Sequence, residues 1–153
     1  MSDVYSIHPE SENQCVLMKK IVSSIKNKPE NIIIILTVIF AYYINNTILK
    51  SHTQGKLHIF FVCYFNDLIC PLFLMAYINL LLLTTQKELT HIYHIHTICL
   101  SSGFFWEFVA PLIKKSSVCD IFDLLCYYIG GTIYWFILQS LSYCRKKYIS
   151  KSQ

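Results

Sequence analysis

Residues 31–49 read NIIIILTVIFAYYINNTIL and contain no charged side chain. A helix needs about 20 mostly apolar residues to cross the ~30 Å hydrocarbon core of a bilayer. Apolar side chains run continuously through this stretch, whereas they alternate with polar ones in a membrane β-strand. The stretch therefore predicts a membrane-spanning helix.

Three further stretches of the chain have the same character. They are residues 57–84, 91–113 and 121–143. Over the whole 153 residues, 54% are hydrophobic and 14% are charged, whereas a soluble domain carries about 25% charged residues. The length allows one domain. We predict an all-α polytopic membrane protein whose domain, residues 31–143, is a four-transmembrane-helix bundle.

The flanking segments are polar and basic. Residues 1–30 predict a polar tail with a short N-terminal amphipathic helix at 15–28, and residues 144–153 predict a basic tail. Alternatively, residues 1–30 are a basic tail that only fixes the orientation of the protein in the membrane. Because cytoplasmic loops keep the excess of lysine and arginine, the distribution of these residues predicts a multi-pass protein of the cell membrane with both termini in the cytoplasm.

In that orientation the acidic side chains of the spans fall in the outer leaflet. A charged side chain at bilayer depth costs about 2.5–3.5 kcal/mol on insertion scales, so it faces the bundle interior or a wet cavity. The structural alternative is hydrogen-bonded pairs that hold helices together, which are worth only about 0.6 kcal/mol each. We predict a polar pocket. Its candidate residues are Asn66, Asp67, Trp106, Glu107, Asp120, Asp123 and Tyr127.

The last span carries the clearest spacing. Asp120, Asp123 and Tyr127 follow the helical i, i+3, i+7 rule and therefore share one face. Gly130 continues that face and Gly131 adjoins it, so a neighbouring helix is expected to pack closely there. The short connection at 114–119 predicts an antiparallel hairpin of the last two spans. This hairpin brings Glu107 close to Asp120 and Asp123, with Lys114 and Lys115 close above them. Either a bound cation or one of these lysines would balance the crowded carboxylates.

This hairpin, residues 103–134, resembles the signature of the VanZ-like family of small bacterial membrane proteins. The residues that match the family pattern are Glu107, Pro111, Asp123 and Gly130. The family usually has a Gln and an Asn where this chain has Ala110 and Tyr127. The resemblance implies an integral membrane protein of the bacterial cell envelope, in a family associated with low-level resistance to the glycopeptide teicoplanin.

Several functions are compatible with an acidic pocket in a membrane. We expect binding of an envelope amphiphile, of a cation such as a divalent ion, or of an envelope-active compound, with membrane lipids around the bundle. The alternatives are a non-catalytic assembly partner, in a homo-oligomer or with another membrane subunit, and a small proton- or cation-coupled transporter.

Catalytic and nucleic-acid functions have weaker support. The chain lacks G-x-S-x-G, H-E-x-x-H and P-loop patterns, so we expect no cofactor, and non-enzymatic function is favoured. No set of residues specifies a metal. The net charge of +4 comes from segments that flank lipid-embedded spans, so we expect no nucleic-acid partner.

Overall fold

The computed structural model describes residues 29–85, 87–109, 112 and 120–151, and regular structure within these ranges is helical. The predicted amphipathic helix at 15–28 lies outside the described residues. So do residues 113–119 of the last connection, together with Ala110 and Pro111 of the family-like pattern.

Within the described residues, four long helices follow one another, and a short 3-10 helix, Leu83–Thr85, follows the second. Helix α1 is Glu30–His52, α2 is Gly55–Leu82, α3 covers residues 92–109, and α4 is Ile121–Lys151. Helices α1, α2 and the Ile121–Cys144 part of α4 are long and apolar enough to cross a membrane. The all-helical, membrane-protein character expected from the hydropathy is therefore confirmed.

The helix ends differ from the predicted spans by a few residues. Helix α1 continues past residue 49 to His52, and α2 begins two residues earlier than predicted, at Gly55. Helix α4 continues without a break to Lys151, through most of the segment expected as a separate tail. Pro71 lies inside α2 and is buried, so the proline is accommodated within a long helix.

Helices α2 and α4 pack together in the centre of the bundle, and α1 packs mainly against α2 whereas α3 packs mainly against α4. The fully buried core lies between α2, α3 and α4 and includes Met75, Ala76, Ile95 and Cys99. Large apolar side chains also cover the outside, as Phe40 and Leu112 do. An apolar exterior of this kind suits contact with lipid.

Two adjacent glycines of α4 allow the close approach of its neighbours. A Cβ at Gly130 would collide with the Leu68 carbonyl oxygen and lie 3.0 Å from Cγ of Pro71, both on α2. A Cβ at Gly131 would lie 3.1 Å from Sγ of Cys99 on α3. The glycine pair thus lets α2 and α3 pack against neighbouring faces of one helix.

Three helices contain a π-helical turn. The turns are Asn45–Leu49 in α1, Phe60–Tyr64 in α2 and Phe105–Val109 in α3. Hydrogen bonds place all three at the end of the bundle where α1 turns into α2 and α4 begins. Single π-helical turns are rare and occur frequently at functional sites, so this end carries the irregular backbone of the fold.

Candidate functional site

Carboxyl groups from three helices meet at the end of the bundle that holds the π-helical turns. Asp67 lies on α2 and Glu107 on α3, whereas Asp120 immediately precedes α4 and Asp123 lies in its first turn. The groups that act electrostatically on Asp123 include the other three carboxyls, and Glu107 acts on Asp67. All four are partly buried. We call this group of four carboxyls the acidic end.

Two of these carboxyls have a structural role at the start of α4. Oδ1 of Asp120 accepts a hydrogen bond of 2.9 Å from the backbone N–H of Phe122, which makes Asp120 the N-cap of the helix. Oε2 of Glu107 accepts one of 3.0 Å from the backbone N–H of Asp120, and the Tyr64 hydroxyl donates to Oδ2 of Asp120 at 3.2 Å. Negative charge is favourable at this position because the helix dipole is positive there.

Asp67 and Asp123 are in a different situation. Asp123 lies within hydrogen-bonding reach of Glu107. The groups that act on Asp67 and Asp123 from the described residues include other carboxyls, whereas Lys114 and Lys115 of the last connection lie outside the described residues. Carboxylates that lie close together repel one another, so a cationic group beside them is favourable.

The described residues contain no group of three or more His, Cys, Asp and Glu side chains arranged to hold a metal ion. The carboxyls of the acidic end are therefore close enough to influence one another but are not gathered as ligands of one ion. A cationic group that hydrogen-bonds to separate carboxylates places a weaker demand on geometry than a divalent ion with oxygen ligands at 2.0–2.6 Å.

A groove between α1 and α2 adjoins the acidic end. Its volume is about 370 Å³, and Asp67 belongs to both the groove and the acidic end. Asn66 and Asp67 are the lining residues with amide or acid groups, and the rest of the groove wall is mainly apolar and aromatic. The lining residues are Val38, Ile39, Tyr42, Asn66, Asp67, Ile69, Cys70 and Phe73.

Asn66 is held in place by Asn45, a residue of the first π-helical turn. Nδ2 of Asn45 donates to Oδ1 of Asn66 and to the backbone carbonyl of Phe61, both at 3.0 Å. Asn45 is completely buried. Its Oδ1 has no hydrogen-bond partner among the described residues. The amide pair therefore fixes α1 against α2 immediately beside Asp67.

The remaining predicted pocket residues lie at different depths. Tyr127 is buried, its ring lies against Gly103 of α3, and its hydroxyl is 3.9 Å from Sγ of Cys70 on α2. Trp106 is 55% exposed and makes an edge-to-face contact with Phe105. Tyr127 therefore packs between three helices, whereas much of the Trp106 ring lies on the outside of the bundle.

A second polar cluster lies at the opposite end of the bundle and was missed by the prediction. The Tyr134 hydroxyl donates to Oδ1 of Asn31 at 2.9 Å and accepts from Nδ2 of Asn79 at 2.7 Å. Oδ1 of Asn79 also accepts from the backbone N–H of Leu89 at 2.8 Å. We call Asn31, Asn79 and Tyr134 the amide end. An asparagine inside an apolar stretch was the available signal for Asn79.

Comparison with protein-family models, with curated proteins and with solved structures finds no match for this chain. The resemblance of residues 103–134 to the VanZ-like family therefore stays a prediction. What the site can bind follows from the side chains of the acidic end and the groove.

Proposed function

We propose that this chain is a four-span membrane protein that binds the positively charged headgroup of an amphiphile at its acidic end. The observation that carries the proposal is the meeting of four carboxyls from α2, α3 and α4. The hydrogen bonds at the start of α4 account for Glu107 and Asp120. They leave Asp67 as the carboxyl available to a ligand, with Asp123 and its neighbour Glu107 close by.

The proposal includes α3 as the fourth span. Residues 92–109 of α3 pack along α4, and the apolar sequence continues to residue 113. Four spans place both termini on one side, and the excess of lysine and arginine assigns that side to the cytoplasm. The acidic end then lies in the outer leaflet, where it is accessible to amphiphiles of the cell envelope.

A cationic headgroup suits this position on energetic grounds. A primary ammonium donates charge-assisted hydrogen bonds to carboxylates, and such bonds are about twice as strong as neutral ones. Attraction between the opposite charges is also stronger at membrane depth than in water, because the dielectric constant is lower. An ammonium group would therefore supply positive charge beside Asp67 and Asp123.

Binding has better support than transport. A transport path needs polar groups through the middle of the bundle, but the space between the acidic end and the amide end contains the fully buried side chains of Met75, Ala76 and Ile95. His96 lies beside Gly131, where it stacks on Tyr128 and lies 3.5 Å from Thr132. The two larger polar clusters are separated in depth, and this arrangement favours a site open to one side of the membrane.

The test uses the purified chain in phosphatidylcholine nanodiscs, with dodecylamine as the probe and uncharged dodecanol as its matched control. We expect dodecylamine to raise the thermal unfolding midpoint, because a ligand that binds only the folded state stabilises it. Dodecanol should leave the midpoint unchanged. In Asp67→Asn and Asp123→Asn, the dodecylamine affinity should fall by about tenfold or more, which corresponds to at least ~1.4 kcal/mol.

Glu88→Gln is the control variant, since Glu88 acts on Tyr134 and lies far from the acidic end. It should keep the full dodecylamine response even if its own midpoint differs. The proposal is overturned if dodecanol gives the same shift as dodecylamine, or if the shift persists unchanged in both aspartate variants.

A further inference from the structure

The groove between α1 and α2 has a polar end and an apolar length. Asn66 and Asp67 are neighbours in α2, and Phe73 lies about 9 Å further along the helix axis at 1.5 Å per residue. On α1, Tyr42 lies beside the polar end and Val38 one turn further along. The groove therefore runs from the acidic end towards the middle of the bundle.

The size and composition of the groove match those of a ligand site. A volume of about 370 Å³ falls within the roughly 300–1,000 Å³ of typical ligand pockets, which are mostly apolar with a few polar groups. The space is large enough to hold a segment of an alkyl chain.

The groove is also open to the surrounding lipid. Ile39, Tyr42 and Phe73 on its walls are all exposed, so an alkyl chain can enter from the bilayer without passing through water. Hydrocarbon from the bilayer fits the walls equally well. The charge at the end of the groove is what distinguishes one amphiphile from another, because Asp67 lines the groove and belongs to the acidic end.

We infer that the groove holds an alkyl chain of an amphiphile whose primary ammonium group lies at Asp67. This inference rests on the proposed function and assigns the ligand class, an alkyl amine, and the position of its chain. Tyr42 also lines the groove, and an aromatic ring attracts a cation that lies over its face. Asn45 fixes Asn66 beside the headgroup position, so the polar end is formed before the ligand arrives.

The position of the chain can be tested by photo-crosslinking in the same nanodiscs. The probe is dodecylamine with a diazirine in the middle of its chain, and the crosslinked residues are identified by peptide mass spectrometry. We expect crosslinks on Ile39, Tyr42 and Phe73 to exceed those on Leu36 and Phe40 severalfold. Leu36 and Phe40 are exposed residues of α1 that do not line the groove.

A groove-filling variant and a matched control sharpen the test. Ile39→Trp should remove the preference for Tyr42 and Phe73 but keep a midpoint shift with dodecylamine, because the acidic end is intact. Leu36→Trp adds the same ring to the same helix away from the groove and should keep both the crosslinking pattern and the shift. Asp67→Asn should lose both.

The possible outcomes separate this inference from the proposed function. If crosslinks spread evenly over the exposed residues of α1 while the midpoint shift remains, the groove assignment is wrong and headgroup binding stands. If dodecylamine gives no midpoint shift at all, the proposed function fails and the inference fails with it. If the preference for the groove appears only when two chains share a disc, a second copy shapes the site, and the inference is overturned.

Discussion

The hydroxyl of Tyr134 connects three helices at the amide end. It lies on α4, donates to Asn31 of α1 and accepts from Asn79 of α2, and all three residues are fully buried. Polar groups in hydrocarbon have no water to bond to, so each must find its partner within the protein. One hydroxyl therefore determines how these three helices are rotated against one another.

Tyr134→Phe should lower the free energy of unfolding by about 1–2 kcal/mol, because Oδ1 of Asn31 loses its donor while it remains buried. The measurement is unfolding by sodium dodecyl sulfate in mixed micelles. Tyr143→Phe on the same helix should have no effect, since that side chain is 68% exposed. Equal stability of Tyr134→Phe and the wild type would show that the cluster contributes nothing to the fold.

For single residues, the sequence indicates the acidic side chains of the site but not the tyrosine hydroxyls that form hydrogen bonds. Asp67, Glu107 and Asp123 stand out because an ionisable side chain in an apolar stretch has a large insertion penalty. Tyr64 and Tyr134 do not stand out, because tyrosine is equally common as a packing or interfacial residue. Their hydrogen-bond partners depend on helix rotation, which one sequence does not reveal.

The two adjacent glycines of α4 determine how closely α2 and α3 pack against this helix. Gly130 contacts the backbone of α2, whereas Gly131 contacts a cysteine side chain of α3. A backbone cannot move aside without displacing its helix, but a side chain can adjust. The two adjacent positions should therefore differ in their tolerance of a methyl group.

Gly130→Ala should destabilise the protein by about 1–3 kcal/mol, the usual range for overpacking, and Gly131→Ala should destabilise it less. The detergent-unfolding measurement compares both variants with Ser140→Ala, an exposed position of the same helix. If both substitutions lower the free energy of unfolding by the same amount, the contact of Gly130 with the α2 backbone does not limit the packing.

Hydropathy predicts where the helices are, but not how they pair. In a soluble bundle the apolar residues mark the core face, whereas here Phe40 on the outside of α1 is as apolar as the buried Val38. The order in which the helices pack, with α2 and α4 central, therefore left no periodic signal. The π-helical turns were equally invisible, because they depend on backbone hydrogen bonds and not on residue type.

The number of spans is a property of the whole molecule and can be measured with thiol reagents. In a cysteine-free background, Gln54→Cys in the α1–α2 turn should react with an impermeant maleimide on intact cells. Lys87→Cys should react only after permeabilisation, because one span separates these positions. A cysteine restored at position 119 should behave like Gln54→Cys if α3 crosses the membrane. Labelling of position 119 only after permeabilisation would leave three spans.

Only Thr53 and Gln54 separate α1 from α2, and this short turn has a consequence for biosynthesis. A linker of two residues spans no more than about 7 Å, so the adjoining ends of the first two helices must lie side by side. Until α2 is made, the amide of Asn45 lacks both of its acceptors, Phe61 and Asn66. The nascent chain should therefore leave the translocon as a helical hairpin, with Lys50 and Lys56 close to its tip.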